Sequence, residues 1–289
     1  MKKSIIARIA VYSVLILVLG GLLIGGLLIG GFTMGGMSLF FSGDGDYTGE
    51  QTEAREGAVS AADVRDLEIS WASGSVTIVP GDTDQIRFSE TGSSQYTMVW
   101  HVSDETLSIE FSDKLFSVGF RPGKAKKDLT VTVPRNWAAD EIEIDAASTD
   151  LRISDLTFNE LNVDGASNDA EILGCTAGEI SLDGASNKLY FEGSLRKLDS
   201  DGASNKITLA VTNQMEEIEL DGVSSDLRLT APADFGFTVD ADGLSFDLET
   251  DFDVTRHGRN HAVAGDGKCL ISIDGVSTSL EILKALLSQ

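Results

Sequence analysis

Positive charge is scarce in this chain: Lys and Arg number 22 against 46 Asp and Glu, a net charge of −24. Three of the cations, Lys2, Lys3 and Arg8, precede everything else, so the chain beyond Phe41 carries −27. That balance excludes nucleic acid as a partner and broad docking on anionic lipid, and it favours solubility or cationic partners. Cysteine is scarcer still. Cys175 and Cys269 are the only two, neither lies near the N-terminal apolar run, and a lipoprotein anchor is thereby excluded. Catalytic motifs are missing as well: there is no G-x-S-x-G elbow, no H-E-x-x-H and no Gly-rich phosphate loop with its Lys. The sequence therefore designates no catalytic residue, no cofactor-binding residue and no metal ligand, and the chain reads as non-enzymatic.

Charge is absent altogether from Ile9 to Phe41. This run is longer than a signal-peptide core of about 7–15 residues and long enough for a bilayer, which takes about 20. Lys2, Lys3 and Arg8 stand before it and Asp44, Asp46, Glu50 and Glu53 after it, so the positive-inside rule keeps the N-terminus cytoplasmic and exports the rest. A cleaved signal peptide is the competing reading, but no small-x-small site stands close to a short apolar core. The expected organisation is a cytoplasmic N-terminus at 1–8, a transmembrane helix at 9–32 and a flexible linker at 33–63. A β region at 64–140 then opens the fold, and β-solenoid repeats fill 141–289. Gly20, Gly21, Gly25, Gly26, Gly30 and Gly31 offer small-xxx-small spacings for self-association of the span. A five-residue period nevertheless winds them around the helix by about 140° per repeat. The stretch Ser42–Asp63 is rich in Gly, Ser and acid and poor in large apolar residues, the composition of a tether.

From Leu67 onward apolar residues alternate, as half-buried strands require, around a recurring DGASN-type pentapeptide. The motif is intact at 164–168, 183–187 and 201–205. With its Asp as origin, apolar residues stand three and one before it and six and eight after it, as Ile180, Leu182, Leu189 and Phe191 do around Asp183. The frame recurs at Asp145, Asp164, Asp201, Asp221 and Asp274, and even at Ser70, with Ser200 and Ala170 as the exceptions. Leu182 and Leu189 are an odd number of residues apart, so both can face one core only if the chain bends between them, and Gly184-Ala185-Ser186 is the place for it. Each repeat is then a strand, a corner, a second strand and a turn such as Gly174–Gly178. About 19 residues cannot close a core alone but suffice for one coil of a β-solenoid. The predicted fold is all-β, a single-chain solenoid of two-strand coils after one transmembrane helix.

WASGSVTIVPGDTDQIRF, DLTVTVPRNW and the DGASN-type coils together resemble a bacterial family of putative adhesins, β-strand-repeat domains of unknown function, over about Val64 to Leu283. The resemblance implies a membrane-anchored member with an envelope role. It brings no catalytic residues with it.

Within the pentapeptide, Asp164, Asp183 and Asp201 are read as corner caps. Each Asp is expected to accept the backbone N–H two residues on, while Gly permits the bend and Ala and Ser stack. A calcium ladder is the alternative, but it wants about six to eight oxygens. Residues 83–133 are spaced like ordinary hairpins, and 246–269 break the frame in a longer loop or hairpin. RPGKAKK, Arg121 to Lys127, is the dense basic cluster of the exported part and reads as a solvated hairpin tip that could meet an anionic polymer or headgroup. His257 and His261 flank Gly258-Arg259-Asn260; their spacing suits one face of a helix, but the Gly and the nearby Arg residues argue against a helical metal site. Cys175 and Cys269, four or five coils apart in this frame, are expected to be free and buried, since a bridge tolerates a Cα separation of only about 7 Å. The functional expectation is a membrane-anchored extracytoplasmic module for envelope interaction, adhesion or stress sensing, with an envelope polymer or membrane protein as partner. The alternative is a β-helical polysaccharide lyase or hydrolase.

Overall fold

The computed structural model describes residues 52–92, 97–111 and 126–285. The N-terminus at 1–8, the apolar span at 9–32 with its glycines, most of the linker, and Arg121–Ala125 of the basic cluster lie outside them. No helix among the described residues is long and apolar enough to cross a membrane. They form one 14-stranded sheet and a single 3-10 turn at Ala61–Asp63.

The sheet is a solenoid wall. Strand β3 (Asp66–Gly81) pairs in parallel with β8 (Ala138–Ser154), and β8 with the start of β9 (Thr157–Val211). β9 is 55 residues long because it is three coils in succession, with extended backbone through their corners. Its far coil pairs in parallel with β10 (Glu217–Ala231). The register holds motif on motif: Ser70 lies on Asp145, Asp145 on Asp164, and Asp201 on Asp221. Buried residues alternate on both sides of each corner, and the phase switches inside it. Around Asp183, Ile180 and Leu182 are buried, 183–186 face outward or lie partly covered, and Asn187, Leu189 and Phe191 are buried again. The expected turn at Gly174–Gly178 is a short third side of the coil within β9, with Cys175 and Ala177 facing the core.

Both ends depart from simple stacking. At the N-terminal end the two halves of β3 pair in parallel with β6 (Thr106–Glu110) and β7 (Lys127–Pro134). Those are continued antiparallel by β5 (Met98–Ser103) and β4 (Gln85–Gly92). β1 (Thr52–Ala54) and β2 (Glu56–Ser60) add an outer layer on β5 and β4. Residues 52–60 are thus strands, and the tether read over 33–63 is shorter than its composition suggests, because paired backbone groups need no large apolar side chains. Successive antiparallel layers also keep a long parallel edge from standing open.

At the C-terminal end, coil order leaves chain order. β14 (Cys269–Lys284) inserts between β10 and β11 (Phe237–Thr250), parallel to both, with Asp274 on Asp221 on one side and on Asp242 on the other. The frame-breaking segment forms a hairpin, β12 (Val254–Arg256) and β13 (His261–Ala264), laid antiparallel on the first residues of β11. The last frame holder, Phe246, explains the order. It occupies the column that carries Ser225 in β10 and Thr278 in β14. A Phe would overfill that narrow polar column from an internal coil, whereas at the end of the stack it is only half-buried.

The corner edge as candidate functional site

The corner is held from inside by asparagine. Asn168, Asn187 and Asn205, the last residues of the three pentapeptides, are buried. Asn187 Nδ2 donates back to Leu182 O at 3.3 Å, forward to Asp201 O at 2.9 Å, and to Asn205 Oδ1 at 3.0 Å. Its own Oδ1 accepts from Asn168 Nδ2 at 2.9 Å. Asn205 continues to Asp221 O at 2.9 Å. Ser200, the apparent exception to the apolar frame, is fully buried because its hydroxyl donates to Asn205 Oδ1 at 3.1 Å. Thr149, Ser225 and Thr278 extend the column with buried hydroxyls. The glycines let the coils close up: a Cβ on Gly184 would sit 2.4 Å from Gly165 O, and one on Gly202 would sit 2.5 Å from Gly184 O. The cap is therefore Asn plus Gly. The side chains of Asp164, Asp183 and Asp201 are exposed and make no hydrogen bond among the described residues, which corrects the reading of Asp as the cap. A parity check could have found this, since Asn follows the inward-facing residue before Asp by five positions, in phase with the second strand.

With the cap inside, three ladders face out along one edge, each repeating at about 4.8 Å. The first is acidic: Asp145, Asp164, Asp183, Asp201, Asp221, Asp274 and Asp242 in stacking order. The second is apolar and grows along the stack from Ala72, Ala147, Ala166, Ala185 and Ala203 to Val223, Val276 and Leu244. The last three are 45%, 47% and 87% exposed. The third is Ser at every position: Ser73, Ser148, Ser167, Ser186, Ser204, Ser224, Ser277 and Ser245.

The acidic ladder is under electrostatic load. Burial first, and then the neighbouring carboxylates Asp164 and Glu68, push Asp145 up to about 6. Asp221 is pushed up to about 6 by burial and by Asp274, with Glu219, Asp201 and Asp199 adding to it. Burial and a neighbouring Asp of the ladder also raise Asp164, Asp201 and Asp274. A carboxyl with a raised folded value binds its proton more tightly folded than unfolded. Its contribution to stability is full below the unfolded value near 4 and is lost as pH rises through about 6. The domain should therefore melt higher at pH 5 than at pH 7.5, by about 3 °C once screening at these half-exposed groups is allowed for. The double variant Asp145→Asn/Asp221→Asn should flatten the difference. An unchanged pH slope in that variant would mean that the ladder is not the source.

At the start of the ladder, carboxylate oxygens of Glu143, Asp145 and Asp164 lie within 4.8 Å of one another. These three could hold a hard cation, but three carboxylates fall short of the six to eight oxygens that calcium takes unless water completes the shell.

The other residues singled out by sequence lie elsewhere. Cys175 and Cys269 are free and buried, and burial raises both thiols, Cys269 to about 12. The insertion of β14 brings them to three coils apart, closer than chain order implies yet still beyond a bridge. Lys127 does not belong to a solvated basic tip. It is buried at the N-terminal end, where Nζ pairs with the buried Glu90 carboxylate and donates to Phe111 O. It also lies 4.1 Å from the Phe111 ring centroid and 5.0 Å from that of Trp71. Burial lowers its pKa in spite of Glu90. His257 and His261 face each other across the terminal hairpin, not along a helix.

The family model described as Toastrack DUF4097 matches residues 64–198 and again 138–278. No curated protein matches this chain. Among solved structures, the chain is similar to a putative cell adhesion protein from Clostridium sporogenes, at 12% identity, over 82% of this chain and 100% of that one, TM-score 0.37. It is similar to a putative adhesin from Bacteroides fragilis at 14% identity, over 80% and 97%, TM-score 0.41. A putative lipid binding protein from Parabacteroides distasonis matches at 15% identity, over 84% and 98%, TM-score 0.40.

Proposed function

We propose that this chain, which belongs to the Toastrack DUF4097 family, is a non-enzymatic binding module. In this reading its N-terminal run anchors it in the cell membrane, and the solenoid stands on the outer side for envelope interaction. The observation that carries the reading is the corner edge, where carboxylate, apolar and hydroxyl ladders run side by side along the stack. Such an edge offers an elongated partner many identical weak contacts in series, and multivalent contact raises avidity without any deep pocket. The acidic ladder selects for positive charge, and the Val223–Val276–Leu244 end supplies apolar contact. A basic segment of an envelope protein fits this chemistry, and adhesion and stress sensing are both roles that such contact could serve.

Cross-linking in intact cells followed by capture of the chain tests the proposal. A partner recovered with the native chain should be lost when Asp183→Asn, Asp201→Asn and Leu244→Ser are combined, since all three side chains are exposed and the fold does not depend on them. Equal recovery with the variant would remove the edge from the binding surface. Protease added to spheroplasts tests the placement: the folded domain should be digested away, and protection of the whole domain would overturn an external location.

A further inference from the structure

The terminal hairpin lines up one Asp and two His. β11 and β13 pair antiparallel with Asp240 directly opposite His261. β13 and β12 pair through Arg256 and Ala262, and His257 N donates to His261 O at 2.9 Å, which sets His257 opposite His261 at the neck of the Gly258-Arg259-Asn260 turn. Directly opposite residues on antiparallel strands share a face, so Asp240, His261 and His257 form one row across three strands. The two imidazole centroids are 5.7 Å apart. His257 and Asp240 are exposed and His261 is half-buried, so the row is open to solvent. Arg256, next in sequence, alternates to the other face and donates to Leu248 O at 3.0 Å.

We propose that His257, His261 and Asp240 bind a divalent transition metal ion of the zinc class and thereby clamp the hairpin to the last coil. With metal–nitrogen distances of about 2.0–2.1 Å, two imidazoles on one tetrahedral ion have ring centroids about 5 Å apart. The observed separation of 5.7 Å is close to that value. Asp240, paired opposite His261 on the neighbouring strand, is the carboxylate on the same face; among the described residues it is not grouped with the two imidazoles as the side chains stand, so in this proposal it turns toward them on binding and supplies a negative ligand. Two imidazoles and one carboxylate suit zinc, nickel or copper better than calcium or magnesium, which take oxygen. This separates the row chemically from the all-oxygen Glu143–Asp145–Asp164 cluster. Three protein ligands leave a fourth position for water or for a ligand from a partner. The acidic surface raises the local concentration of any cation.

The test is calorimetric titration of zinc chloride into the full chain in mild detergent after treatment with chelator, paired with thermal melts. The native chain should bind one equivalent and melt higher with zinc than without it. His257→Ala should weaken zinc binding by about tenfold or more, and Asp240→Asn by less, in the range that loss of one supporting group produces. His257 is exposed beside the turn, so His257→Ala keeps the fold, which circular dichroism verifies. Absence of zinc heat in the native chain would overturn the site. So would undiminished binding in His257→Ala, or binding that disappears in Asp145→Asn/Asp164→Asn instead.

Discussion

Replacing Asn187 by Ala should cost about 3 kcal/mol, whereas Asp183→Ala, four residues away in the same pentapeptide, should cost nothing measurable. Asn187 lies in the middle of the ladder and joins three coils: it accepts from Asn168 and donates to Asp201 O and Asn205 Oδ1. Truncation strips these bonds out of a buried column, at about 1 kcal/mol each, although Asn168 Nδ2 keeps Val163 O and Asp183 O and Asn205 Oδ1 keeps the Ser200 hydroxyl, and it opens a cavity as well. Asp183 offers a contrast that separates the two accounts of the corner. If Asp were the cap, its removal would cost about 1 kcal/mol. With its side chain exposed and without a hydrogen bond among the described residues, removal only relieves repulsion along the acidic ladder. Chemical denaturation followed by far-ultraviolet circular dichroism reads both. An Asp183→Ala loss equal to that of Asn187→Ala would restore Asp as the cap and overturn the asparagine account.

A loss of about 4 kcal/mol is expected for Lys127→Met alone. That substitution leaves the Glu90 carboxylate buried without the ammonium that faces it, and breaking a buried pair on one side costs about 3–5 kcal/mol. It also removes a cation held against Phe111 and Trp71. The double variant Lys127→Met/Glu90→Gln should recover most of the loss. Neither charge then remains, the volume is nearly kept, and the Gln oxygen still accepts Met98 N, which now donates to Glu90 Oε2 at 3.1 Å. The measurement is again the denaturation midpoint, with proteolysis of β1 to β7 as a local readout because a stack frays from its ends. A single variant no less stable than the double would show that the charge pair contributes nothing specific.

These two residues also mark the limit of what was legible beforehand. Asn187 is visible in the sequence as part of a repeated motif, but nothing in the motif alone ranks it above Asp for the structural role. Lys127 is indistinguishable in sequence from its neighbours Arg121 to Lys126, because a run of cations on a chain carries no sign of which one turns inward. A single cation becomes internal only when a distant strand, here β4 with Glu90, supplies the counter-charge. The His pair shows the same limit. Its spacing suits one face of a helix, but a hairpin neck brings positions four apart face to face just as well.

The amino-acid sequence by itself determined the coil. Parallel in-register stacking forces each buried position to recur at a fixed offset, so the offsets around Asp183 name the strands, the bend and the repeat length before any coordinates are known. It also determined the three outward ladders, since identical residues at identical offsets must align once the coils stack. What only the tertiary structure decided is which coil lies on which. β11 and β14 both carry the Asp-Gly corner, at Asp242 and Asp274, and chain order alone would set β11 beside β10. The choice rests on Phe246, too large for the buried hydroxyl column that Thr278 fits, and on a hairpin that covers β11 once it is outermost. It depends on side chains that meet only after the chain has folded back on itself.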